Sequence, residues 1–141
     1  MPFAYYVGMP NASGAPLRES DMMAHLMDAL EDGQDIGHYG RLVFTMVAYR
    51  FLPDEQVAAY LCKDPSVDER EARALVEQVR SRGYNPPRRE RILDWQRQQD
   101  FPIVPNPDDP DSGNVYRDLH FPDDVYQDIE EYHEAKAEVL S

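Results

Sequence analysis

Residues 37–51, GHYGRLVFTMVAYRF, constrain the fold more than any other stretch. They are apolar on nearly every side and carry only Arg41 and Arg50 as charges. A helix of that kind has no broad face to give to water, so it is expected at the centre with others packed round it. The flanking segments supply those others. Ser20 is a suitable cap for a first helix in which Met22, Met23, Leu26, Met27 and Leu30 share a face, with Gly33 just past its end. Pro53 suits the first turn of a third helix, DEQVAAYLC, with Val57 and Leu61 facing inward. Asp68 opens a fourth, where Ala72, Leu75, Val76 and Val79 repeat at helical spacing until Gly83. Tyr84–Pro87 is an extended breaker, because a residue before proline avoids the helical region.

A fifth helix, RRERILDWQRQQ, packs Ile92, Leu93 and Trp95 inward. Residues 100–114 hold four prolines and are expected to be irregular. Short helices around 115–119 and 123–139 complete the chain. No strand alternation persists and no internal repeat is visible. The predicted fold is therefore all-α, a bundle of about five to seven helices with a long proline-rich loop. Its expected divisions are an irregular arm at 1–19, a helical domain at 20–121 and an acidic helix at 122–141.

A chain of 141 residues can bury a working core without covalent or metallic help. Its one cysteine, Cys62, excludes an internal disulfide and a cysteine-ligated cluster within a single chain. On an apolar helix it reads as a small buried hydrophobe rather than a nucleophile. The four histidines (His25, His38, His120 and His133) lack metal-ligand spacing, and His133 beside Glu130 and Glu134 reads as part of a solvated acidic helix. Asp108, Asp109, Asp111 and Gly113 suggest a calcium loop, but His120 falls where its bidentate glutamate belongs if Asp109 begins the loop. No metal or other cofactor is expected. No glycine-rich phosphate loop, nucleophile elbow or triad is present. The absence of a basic, apolar leader and of any run of roughly 18 apolar residues leads to the expectation of a cytoplasmic protein without membrane contact.

Charge narrows the function. The net charge of -13 favours solubility and works against non-specific binding to DNA or anionic membranes. It is unevenly spread: residues 1–69 carry -7, residues 70–97 carry +4 and residues 98–141 carry -10. The positive stretch is the one electrostatic footprint suited to nucleic acid, with Arg73, Arg80, Arg82 and Arg88 as candidate phosphate ligands. Tyr84, Trp95 and Tyr116 are candidate stacking rings near it. The competing reading is an amphipathic helix with a solvated arginine face and Trp95 in the core.

An ordered set of landmarks adds to this. A helix begins at Met22; His38-Tyr39-Gly40-Arg41 opens the buried helix; the helix LPDEQVAAYL is followed by the acidic cap and helix PSVDEREARALVEQV; Tyr84-Asn85-Pro86-Pro87 is followed by Arg89; Val104-Pro105 and Gly113 with Tyr116 close the series. In this order and spacing the chain resembles the C-terminal domain of the large subunit of archaeal and eukaryotic DNA primases, over roughly residues 20–121. That family holds an iron–sulfur cluster on four cysteines. The resemblance puts Met22, Arg89, Val104 and Gly113 at those positions, so the cluster is expected to be absent and replaced by packing. Met22 and Val104 are expected to fill the emptied volume, Gly113 to allow close backbone approach, and Arg89 to pair with an acid of the 108–111 loop. All four positions are expected to converge.

The resemblance implies a domain that makes no phosphodiester bonds itself. It would help a separate primase-polymerase catalytic subunit begin a primer, by holding single-stranded DNA or primer–template and the 5′-triphosphate end. His38 and Arg41 are the residues that carry over, as an imidazole and a forked guanidinium beside a helix N-terminus. Other basic residues of the family are replaced here by Asp35 and Gly37, and its aromatic and histidine positions by Ala74 and Gln78. The alternative is an acidic protein-interaction adaptor or DNA-mimicking regulator that has lost contact with nucleic acid, as the acidic C-terminal third would suit.

Overall fold

A computed structural model of the chain describes residues 16–106, 108–109 and 113–127. These residues form helices, turns and loops with no strand, an all-α bundle. A 3₁₀ turn at Pro16–Glu19 leads into α1 (Asp21–Glu31), α2 (Gly37–Ala48), α3 (Asp54–Leu61), α4 (Glu69–Arg82), α5 (Arg89–Gln96) and a single turn, α6 (Val115–Asp118). Residues 123–127 are helical as well, while the remainder of the expected 123–139 helix and most of the 1–19 arm lie outside the described residues.

Local chemistry sets these boundaries. The Ser20 hydroxyl accepts the Met23 N–H at 3.2 Å, and the Asp68 carboxylate accepts the Glu71 N–H at 2.8 Å. Each cap satisfies a donor that the first helical turn leaves open, worth about 1 kcal/mol. Gly83 stops α4 at φ +60, a left-handed conformation that costs a residue with a Cβ. Pro53 is the N-cap of α3, which starts at Asp54 as expected and ends at Leu61, one residue short of the expected Cys62. The helix α5 ends at Gln96, short of the expected 99.

The segment that most constrains the fold is indeed central. Within α2, Gly40 and Val43 through Ala48 are buried, and the helix touches α1, α3, α4 and α5. Met22, Met23, Leu26, Met27 and Leu30 of α1 close one side; Val57 and Leu61 of α3, Ala72, Val76 and Val79 of α4, and Ile92 of α5 close the others. Leu75, Leu93 and Trp95, expected inside, are only half-buried. Cys62 is a correction. It caps the C-terminus of α3 with its side chain exposed, so the apolar face of that helix ends before it. Desolvation, with the carboxylates of Glu69 and Asp68, raises its thiol pKa, which disfavours the thiolate.

The proline-rich loop returns across α1 and is fastened to it. His25 stacks on Phe101 with ring centres 5.2 Å apart, and its Nε2 lies 2.7 Å from the Pro102 carbonyl. A carbonyl only accepts, so that nitrogen carries the proton. Ile103 and Val104 are buried, and the Val104 N–H donates to Gln96 Oε1 at 2.7 Å. Three distant positions then meet. Met22 and Val104 are buried, and a Cβ built on Gly113 would lie 3.1 Å from Val104 Cγ2 and 4.0 Å from Met22 Sδ. A thioether, an isopropyl and a bare backbone fill that space, and they offer no thiolate for iron. Arg89 sits half-buried in the first turn of α5 and pairs with its neighbour Glu90 at 3.5 Å. Of the acids of the 108–111 loop considered as its partners, Asp111 lies outside the described residues.

Candidate functional site

The start of α2 is the first place to look, because His38 and Arg41 stand there. Arg41 Nη1 lies 3.0 Å from Asp35 Oδ1, 3.0 Å from Asp64 Oδ2 and 3.0 Å from Ser66 Oγ. Asp64 is fully buried and accepts further hydrogen bonds from the Ile36 N–H at 3.0 Å, the Ser66 N–H at 2.9 Å and the Ser66 hydroxyl at 2.6 Å. Burial alone would raise its pKa. The Ser66 hydroxyl and N–H, the Ile36 N–H and Arg41 outweigh that and hold it below the ordinary 3.8. The guanidinium thus ties α2 to the α3–α4 connection.

The helix N-terminus is occupied too. The Gly37 N–H donates to Asp35 Oδ1 at 2.8 Å, and the Tyr39 N–H donates to Gln99 Oε1 at 2.9 Å. Gln99 Nε2 donates in turn to the carbonyls of Ile36 and Phe101. Donors that a phosphate would need are therefore satisfied by the chain's own carboxylate and amide. His38 is exposed, with its ring 5.2 Å from that of Tyr39.

The arginine stretch divides in two. Arg73 pairs with Glu69 on its own helix at 3.1 Å, and Arg80 forks onto Asp54 of α3 with contacts of 2.5–2.9 Å. Arg88 and Arg91 instead line a cleft of about 660 Å³. Leu42 and Met46 of α2, Gln78 of α4, the extended Tyr84–Arg88 segment, and Glu90, Arg91 and Trp95 of α5 supply its walls. Arg82 Nη1 reaches the Tyr84 hydroxyl at 3.5 Å. A volume of this size with an apolar floor and a few polar groups is typical of a small-molecule or single-nucleotide site.

A ladder of rings joins the two regions. Trp95 stacks on Tyr39 with centres 5.6 Å apart and planes 14° apart, and Tyr39 meets His38 edge-on. The Arg91 guanidinium lies 5.8 Å from the Trp95 ring centre, one helical turn before it. So Tyr84 and Arg88 share the cleft with Trp95, His38 is linked to it through Tyr39, and Arg41, Arg73 and Arg80 are engaged by carboxylates. Arg91 was not among the residues singled out from sequence, although its position four before Trp95 was the available signal. Asn85 adds a strained note: its Oδ1 is buried without a hydrogen-bond partner, as is Arg50 Nε, among the described residues. Tyr116 is not part of the cleft. Its hydroxyl donates to the Pro86 carbonyl, its ring meets Phe121, and burial above all raises its pKa to about 12.

Among the described residues no group of three or more His, Cys, Asp or Glu side chains is arranged to hold a metal ion, and no helix is long and apolar enough to cross a membrane. No family model, characterised protein or solved structure matches the chain.

Proposed function

We propose that this chain is a non-catalytic accessory domain that holds single-stranded template or a primer 5′ end for a separate primase-polymerase catalytic subunit. The observation that carries the reading is the cleft between α2, α4 and α5. Its aromatic wall, Trp95 with Tyr84, suits a base, and Arg88 and Arg91 at its rim suit the phosphates beside it. Glu90, the acid in the same wall, is paired with Arg89, which reduces its repulsion of an anion. The meeting of Met22, Val104 and Gly113 is what a primase-like domain fastened by packing would need, and gives the proposed kinship a second support.

Anisotropy of a labelled single-stranded oligonucleotide carrying a 5′-triphosphate tests this. Binding should weaken with salt, with a slope of roughly 0.7 decades per decade for each phosphate contacted. Arg91→Glu and His38→Ala should both reduce affinity, and neither removes a buried partner. Absence of binding at low salt overturns the reading. The second reading, an acidic protein-interaction adaptor, draws on one specific observation: Arg41, Arg73 and Arg80 are already neutralised by carboxylates. Capture of a protein partner together with no affinity for DNA would favour it.

A further inference from the structure

The start of α2 is a poor fit for a 5′ end, because Asp35, Asp64 and Gln99 occupy the donors that a triphosphate would use. The cleft has a different chemistry. One side of the Trp95 indole is taken by Tyr39, and the Arg91 guanidinium lies over the ring. Arg91 is exposed, and its long stem lets the charged head move while the residue stays in α5. An exposed cation over an aromatic ring gains less than a base stacked on it. A base arriving with its own phosphate offers both groups a better partner at once.

Building on the nucleic-acid reading above, we infer that an unpaired base from the interior of a strand displaces the Arg91 guanidinium from Trp95. Arg91 then turns to the flanking phosphate, with Arg88 beside it. The base extends the existing Tyr39–Trp95 stack, and the apolar wall of Leu42 and Met46 excludes water from its edge. Recognition is therefore independent of the 5′ terminus, because neither the indole nor Arg91 touches an end group.

Trp95 is the single tryptophan, so its emission reports this site alone. The full chain is titrated with a short oligothymidylate bearing a 5′-hydroxyl and with the same strand bearing a 5′-triphosphate, following tryptophan emission and anisotropy together. Both strands should quench Trp95, with midpoints within about twofold of each other. Arg91→Gln should flatten the salt slope by roughly 0.7, the share of one phosphate. Trp95→Ala should weaken anisotropy binding about tenfold or more, and Trp95→Phe, which keeps a ring, should restore most of it. Binding of the triphosphate strand alone, or binding without quenching, overturns the inference and leaves the accessory role standing. If neither strand binds at low salt, the nucleic-acid reading itself fails. Quenching by a proline-rich peptide but not by either strand would assign the cleft to a protein partner.

Discussion

Gly37 and Asp64 show how much of the site's surroundings hang on single atoms. Gly37 has φ +79, and a Cβ there would sit 2.5 Å from Gln99 Oε1. Gly37→Ala therefore meets both a backbone and a steric penalty, and urea unfolding should show a loss of about 1–3 kcal/mol. Adding Gln99→Ala should relieve the clash but not the backbone strain, so the two losses should not sum. Asp64→Asn should cost on the order of 3 kcal/mol, since it removes the buried one of Arg41's two carboxylate partners and the charge that several donors share. The pH dependence follows from the lowered pKa of Asp64. Its contribution is present above the ordinary value of 3.8 and is lost as pH falls below it. Wild type should lose stability along that acid limb, and Asp64→Asn should show less of it in pH-dependent unfolding.

Between α5 and α6 the same reasoning applies at the alkaline end. Tyr116 anchors α6 to the extended segment before α5, and its pKa lies near 12 against an ordinary 10.0. The folded state holds the phenolic proton more tightly, so stability is complete below pH 10 and declines as pH rises toward 12. Tyr49 is shifted the same way, chiefly by burial, and contributes to the same loss. Tyr116→Phe should shrink the alkaline decline without removing it, as thermal unfolding across that range would show. The elements themselves were largely legible in sequence, for identifiable reasons. A segment apolar all round had to be central, and Ser20, Gly33, Asp68 and Gly83 act within a few residues of themselves. What escaped was polar pairing across distance. Nothing periodic links Arg41 to Asp64 or Tyr39 to Gln99, so the guanidinium read as available when it was engaged. Cys62 was misplaced because the burial of α3 stops at Leu61, one residue before it.

Taken whole, the molecule is a bundle whose late segments lock its early ones. Met22 from α1, Val104 from the loop and Gly113 near α6 share one packed volume. Met22→Ala should cost about 2–5 kcal/mol, as for other buried methionines. Combining it with Val104→Ala should depart from additivity by at least about 0.5 kcal/mol in equilibrium unfolding, because both substitutions open the same cavity. Contact between strangers in sequence has a further outcome, for biosynthesis. The amide that seats the first turn of α2 lies 60 positions further along the chain than the N–H it accepts from. During synthesis that turn stays unfastened until Gln99 has emerged, even with α1, α3 and α4 already in place against the rest of the helix.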